Sequence, residues 1–290
     1  MAYVIVLCGG ILWGTTGTAQ TFIPETVDPF VVATLRLAIG GFVLMSILFL
    51  LRKIQFSAWP WKNILIVSVA LALFQYAFFT SVRLTGVAVG TVVTIGSAPI
   101  FTGMLEWLIL RTRPNWQWFI ATSLAIVGCT LLFVNKDLVI IDGLGVMFAL
   151  FGGFLFATYS FLNKRVVEKI DTIEAVAIVF TISALMLLPF YFNFSSEGLL
   201  TTSGLLAIIY IGLVTTALGY VLYSYGLKRI PSSSATTLAL AEPFTAAILS
   251  VVIVGEYLNQ SAWFGVFLLL AGIIILTVQP RFSFRSRTYN

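Results

Sequence analysis

The stretch PSSSATTLALAEPFTAAILSVVIVGE, residues 231–256, decides the fold. It is long enough to cross a bilayer, which takes about 20 apolar residues. One charge, Glu242, lies between its two ends. Pro243 follows at once; it has no amide hydrogen to donate and disturbs a helix near its middle. The half before Glu242 is small and hydroxylated (Ser232, Ser233, Ser234, Thr236, Thr237), and the half after it is greasy and branched (Ile248, Leu249, Val251 to Val254). A carboxylate at mid-membrane depth is costly, is expected to face protein or water, and marks a functional site by default.

The surroundings of this span fit the same reading. Of 290 residues 60% are hydrophobic and 9% charged, with a mean hydropathy of +1.05. Soluble domains carry about 25% charged residues, so the chain is expected to be an all-α membrane protein without a separate catalytic or regulatory domain. Polar, proline and charged clusters divide it into ten transmembrane helices, at about 2–22, 28–51, 62–83, 86–110, 116–134, 142–163, 172–193, 202–227, 231–255 and 260–279. The turn from Arg83 to Gly86 is the tightest break. The opening apolar run lacks the basic flank of a signal peptide and has an internal counterpart, so a permanent first span is expected.

Lysine and arginine alternate unevenly between the two sides. Thirteen fall on one side, from Arg52 and Lys53 through Lys164, Arg165, Lys228 and Arg229 to Arg281, Arg285 and Arg287. Arg83 and Lys136 fall on the other, and Arg36 lies within a span. The excess marks the cytoplasmic side, placing both termini in the cytoplasm and the chain in the cytoplasmic membrane. It also assigns the net charge of +5 to topology rather than to a nucleic-acid partner.

The chain repeats itself. A shift of 143 residues carries Gly9-Gly10 onto Gly152-Gly153, Gly14 onto Ala157, Thr15 onto Thr158 and Asp28 onto Asp171; a shift of 144 carries Pro99 onto Pro243 and Gly128 onto Gly272. Five spans per half is an odd number, so the second half enters the membrane upside down. The expected units are residues 1–136 and 142–280, two inverted five-helix repeats around a central cavity, followed by a basic cytoplasmic tail, 281–290. This is the plan of many secondary transporters, whose site lies at the repeat interface near the midplane.

Depth selects the candidate residues. At 1.5 Å per residue, Glu242 lies about 16 Å from the start of its helix and Arg36 about 12 Å inward from Asp28 on the other face. The two are expected to pair directly or through a substrate, or else to form an ion pair that only fixes packing. Gln75 and Tyr76 near mid-depth either line a polar cavity or bond between helices. Pro99, preceded by Thr94 and Ser97, mirrors Pro243, and paired proline breaks point to a transport site. Trp13, Tyr76, Phe78, Phe79, Tyr159, Tyr220 and Tyr223 are deep aromatics, of which Trp13 and Tyr159 join Tyr76 as site candidates. Glu106 is expected to pair locally with Arg111 or Arg113, and Glu174 to be an interfacial charge. Trp59, Trp61, Trp116, Trp118 and Trp263 are expected at the membrane interface. Cys8 and Cys129 are expected as buried small hydrophobes.

Other function classes find little support. With no histidine in the chain, an HExxH metalloprotease and a Ser–His dyad are excluded, and no metal or cofactor is expected. An aspartyl mechanism needs paired acids inside the membrane, whereas Asp28, Asp137, Asp142 and Asp171 sit at span ends. A channel would want a polar stripe through the core.

Leu12-Trp13-Gly14, Arg36, Pro99 and Ala241-Glu242-Pro243 running on to Gly255-Glu256 together resemble the EamA-type members of the drug/metabolite transporter superfamily, over nearly the full length. Where that family often has Gly-Glu at the end of the fourth helix, this chain has Leu110-Arg111. The resemblance implies ten helices in two inverted halves. It also implies export of small metabolites, often amino acids, or of drugs such as organic cations. The partners so implied are a small-molecule substrate and the lipid bilayer. Proton coupling through Glu242 and uniport both stay open, as do monomer and homodimer.

Overall fold

The structure, a computed structural model, describes residues 1–54, 59–133, 142–255 and 257–278. Lys136, Asp137, Glu256 and the basic tail 281–290, together with the outer limits 136 and 280 of the expected units, lie outside the described residues. Ten helices run through the described residues: α1 Ala2–Gln20, α2 Pro29–Leu50, α3 Trp61–Val87, α4 Val89–Leu110, α5 Trp116–Phe133, α6 Gly143–Val167, α7 Thr172–Tyr191, α8 Thr202–Leu227, α9 Ser232–Val254 and α10 Gln260–Thr277. Among the described residues, all but α5, whose apolar stretch runs over Trp116–Leu132, are long and apolar enough to span a membrane.

The span ends are built from caps, whose side-chain oxygens take amides that have no partner within their own helix. Asp28 accepts from Phe30 (2.8 Å), Asp142 from Leu144 (2.8 Å), Asp171 from Ile173 (2.9 Å) and Asn259 from Ala262 (2.9 Å). The α3–α4 break is a one-residue reversal. Gly86 has φ 80° and ψ 162°, the sole non-helical dihedrals between Trp61 and Leu110. A Cβ on Gly90 would lie 2.9 Å from Val82, so the two helices double back side by side.

The main pairings all join an early helix to a late one. Helix α1 packs on α8 and α9, α2 on α7, α6 on α3 and α4, and α5 on α10. Glycines set the closest approaches. A Cβ on Gly10 would meet Leu238 O and the Ala241 side chain, each at 3.1 Å; one on Gly153 would collide with Thr94 O and Ser97 Oγ. Gly128 lies against Gly265 O, and Gly272 against Ala121 O, each leaving 2.6 Å for a Cβ.

The two ends of the bundle are tied by loop contacts. On one face Thr26 Oγ1 donates to Glu197 O (2.6 Å) and Asp28 N to Ser195 O (2.9 Å). On the face that carries the N-terminus, Lys164 Nζ donates to Leu227 O (3.1 Å) and also to Ile230 O.

The two prolines behave differently. Helix α9 is interrupted at Ala239-Leu240 and resumes at Ala241. The break therefore precedes Pro243 by three or four residues, and Pro243 sits in the first turn of the second segment. Its ring crowds the carbonyl four residues back and offers it no hydrogen; Ala239 O instead accepts from Glu242 N at 2.9 Å, a tighter turn. Helix α4 keeps helical dihedrals through Pro99, contrary to the expected mirror break. There α6 lies close along the helix through Gly152 and Gly153. Pro residues inside membrane helices are tolerated under such support.

Several side chains depart from the sequence expectations. Trp59 and Trp118 lie at span ends but are buried in the protein, and Trp59 Nε1 donates to Glu174 Oε1 at 2.6 Å. Glu174, in the first turn of α7, is buried with it. Cys8 is exposed on α1, whereas Cys129 is fully buried.

Candidate functional site: a charged cavity beside the broken helix

A cavity of about 340 Å³ opens between α1, α2, α3, α4, α6, α8 and α9. Arg36 of α2 and Glu242 of α9 both line it. Asp28 caps α2 and Pro29 occupies its first turn, which starts the helix two turns before Arg36. Glu242 reaches the cavity because α9 is broken just before it. Its carboxylate lies in the first turn of the second segment, where the helix dipole favours negative charge.

Arg36 does not pair with Glu242. Its Nη2 donates to Gln75 Oε1 at 2.9 Å, and its Nε is buried without a protein partner. Among the described residues no salt bridge joins the two charges, so the expected direct pair and the packing-only ion pair are both absent. Two opposite charges facing one chamber unpaired leave room for a ligand between them. Other polar atoms around the cavity are buried and unpartnered as well: Trp13 Nε1, Thr94 Oγ1 and Gln75 Nε2. Buried polar groups are normally satisfied, so a cluster of unsatisfied ones packed around one chamber sets it apart.

The aromatic floor and wall complete the chamber. Trp13 packs at 4.6 Å from Tyr220, 5.0 Å from Tyr223 and 6.1 Å from Phe156, ring centre to ring centre. Its indole lies on Gly219, where a Cβ would be 2.9 Å from Nε1. Phe74, Phe78 and Phe79 of α3 form the facing wall. Gly14 lets α1 lie against the break: a Cβ there would be 2.5 Å from Thr245 Cβ and 2.6 Å from Glu242 O.

Of the residues singled out from the sequence, Trp13, Arg36, Thr94, Glu242 and Pro243 line the cavity. Gln75 lies one layer behind, fully buried and holding Arg36. Tyr159 is also behind the wall, stacked on Phe156 at 5.9 Å and edge-on to Tyr220 at 5.8 Å. Ser97 points at Gly153. Tyr76 turns outward, 45% exposed, with its ring edge-on to Phe30 and Phe148. Pro99 is not in the lining. Sequence reasoning missed Gln20 and Thr91 among the polar lining, and left Tyr220 and Phe78 as two unassigned deep aromatics.

The chamber opens toward the ends of α1 and α3, through Gln20, Pro29 and Val87. Toward the N-terminal face it is shut. Below Phe156 and Tyr220, Ser160 Oγ and Tyr223 OH lie 2.7 Å apart and Asn163 Nδ2 donates to Ser224 Oγ at 3.0 Å. Further down, Glu106 Oε1 accepts from Ser232 N (2.5 Å) and Ser233 N (3.3 Å), and Oε2 accepts from Ser233 Oγ. Glu106 thus caps α9 rather than pairing with Arg111 or Arg113.

A multi-pass helical bundle with an off-centre break, two unpaired opposite charges and one closed end defines the class of membrane transport proteins. Similarity to known proteins narrows it. The EamA-like transporter family matches over residues 1–134 and again over 143–278, and the chain belongs to that family. The "Uncharacterized transporter YwfM" of Bacillus subtilis (strain 168) is 41% identical over 278 residues, covering 96% of this chain and 94% of that protein. The "Threonine/homoserine exporter RhtA" of Escherichia coli (strain K12) is 27% identical over 257 residues, covering 88% and 84%. A crystal structure 20% identical in sequence superposes with a TM-score of 0.83 over 95% of this chain and 96% of the other, a likeness of fold.

Proposed function

We propose that the protein is a secondary-active transporter, not an enzyme, that exports small zwitterionic metabolites, amino acids first among them, by alternating access. The observation that carries this reading is the separation of Arg36 from Glu242 across one cavity. A substrate carboxylate would take the Arg36 guanidinium. An ammonium would take Glu242. The aromatic floor would receive the side chain. Export direction is inferred from the family and supported by the exporter name of one relative. Protons are the proposed coupling ion, exchanged at Glu242.

The site is proposed to sit between two inverted five-helix halves, with both termini in the cytoplasm of a cell bounded by this membrane. Contacts support the inversion. The 144-residue shift turns Thr94 and Ser97, which face Gly153, into Leu238 and Ala241, which face Gly10. It likewise turns the Gly128–Gly265 contact into Gly272–Ala121. With this orientation the cavity opens outward.

The second reading is an organic-cation or multidrug exporter. Glu242 beside Trp13, Phe74 and Tyr220 favours it, since aromatic faces attract cations; Arg36 in the same chamber opposes it. A thermal-shift screen of the purified protein against amino acids, amines, organic acids and cationic dyes decides between them, because ligands of the folded state raise its apparent stability. Stabilisation by amino acids, lost for the corresponding amines and for Arg36→Gln, supports the zwitterion reading. Stabilisation by dyes and amines alone overturns it.

A further inference from the structure

We infer that Glu106 is a latch that holds the N-terminal face closed, and that the two faces of the transporter are latched unequally. This rests on the alternating-access reading above. Helix α9 begins after Pro231 without a side-chain cap of its own. The Glu106 carboxylate, 126 residues away in sequence and buried near the end of α4, supplies the cap to Ser232 and Ser233. Charge-assisted bonds of this kind are roughly twice as strong as neutral ones, and the carboxylate also meets the positive end of a helix dipole. Among the described residues no cation pairs with it. Arg113 lies over the Trp107 ring at 5.8 Å, and Lys164 is spent on two backbone carbonyls. Opening this face requires α4 to leave the start of α9, and the latch must part as it does so. A pocket of about 530 Å³, lined by Tyr3, Glu106, Arg113, Lys164 and Ser234, already flanks the contact and would widen into the inner vestibule.

Among the described residues the opposite face lacks an equivalent. The 144-residue shift that relates the halves puts Ser250 where Glu106 stands, and Ala88 and Val89 where Ser232 and Ser233 stand. Ser250 Oγ donates to Ala247 O of its own helix at 3.1 Å and lines a crevice of about 200 Å³ with Thr18 and Val254. A hydroxyl bonded to its own backbone closes nothing. Among the described residues one face therefore carries a carboxylate latch and the other none, which biases the resting protein toward the conformation with the N-terminal face shut.

The test reads conformation without any substrate, so its failure counts against the latch and not against the choice of cargo. In a Cys8→Ser/Cys129→Ser background, thiols are introduced singly by Ser234→Cys beside the latch and by Gln20→Cys at the open mouth, and maleimide labelling rates are measured. Glu106→Gln should raise labelling at the first site and lower it at the second, each about tenfold for the loss of one charged contact. Adding Ser250→Glu should push both rates further in the same directions. Unchanged rates in a variant that melts within a few degrees of the parent overturn the inference. So does a rise at both sites together, which is loosening rather than a switch. If Glu106→Gln does not survive purification, Ser250→Glu with Glu106 intact still decides: labelling at the inner thiol must rise, and no rise overturns the latch.

Discussion

Arg36 Nη2 lies 2.9 Å from Gln75 Oε1, and this neutral side chain is the arginine's hydrogen-bonding partner within the protein. An uncharged partner fixes the guanidinium without neutralising it. Gln75→Leu should leave Arg36 free to turn and raise KM for a carboxylate-bearing substrate about tenfold, in line with about 1.5–3 kcal/mol for hydrogen bonds to charged groups. Gln75→Glu should be worse, because a paired guanidinium no longer seeks a carboxylate. Counterflow in proteoliposomes measures both, and equal KM for the parent and Gln75→Glu would refute the role.

Glu242 is the acid that faces Arg36 across the chamber without touching it. Glu242→Gln keeps the shape and removes the exchangeable proton. Transport by this variant should no longer respond to an imposed pH gradient, while the parent does. Normal gradient-driven accumulation in Glu242→Gln would remove the coupled mechanism.

Gly14 is a packing constraint on the break in α9. A methyl there would meet Thr245 Cβ at 2.5 Å and Glu242 O at 2.6 Å. Overpacking costs about 1–3 kcal/mol, so Gly14→Ala should lower the melting temperature by several degrees and impair binding. Gly143→Ala, where nothing lies within 4 Å of the new Cβ, should leave the melting temperature within about a degree.

Arg111 ends α4 with φ 57°, in the left-handed region, as Gly255 does with φ 79° after α9. The 144-residue shift puts the two at the same place in their halves. A side chain in that conformation costs about 1 kcal/mol, so Arg111→Gly should raise thermal stability by a similar amount. A fall in melting temperature would show that the arginine makes a compensating contact.

The helices were legible because lipid demands long apolar runs, and the ends were legible because lysine, arginine and capping aspartates gather there. Arg36 and Glu242 stood out for the same reason in reverse, as charges with no business in such runs. The aromatic wall was not legible. Phe42 is 73% exposed on α2 and Phe156 is 9% exposed in the cavity lining, yet both are phenylalanines in apolar helices, and lipid and pocket ask for the same side chain. Adjacent helix positions point about 100° apart, so Gln75 and Tyr76 could not both face inward, and the sequence did not say which would. Glu106 misled because its partner is distant in the chain, whereas Arg111 is five residues away.

The pairings α1 with α8 and α9, α2 with α7, α6 with α3 and α4, and α5 with α10 all run from the early half of the chain to the late half. The largest helix contacts therefore resemble those between two molecules, although one polypeptide supplies both partners. Two separately synthesised fragments, divided between α5 and α6, should find each other in the bilayer and co-purify as a functional heterodimer, while either fragment alone should be degraded.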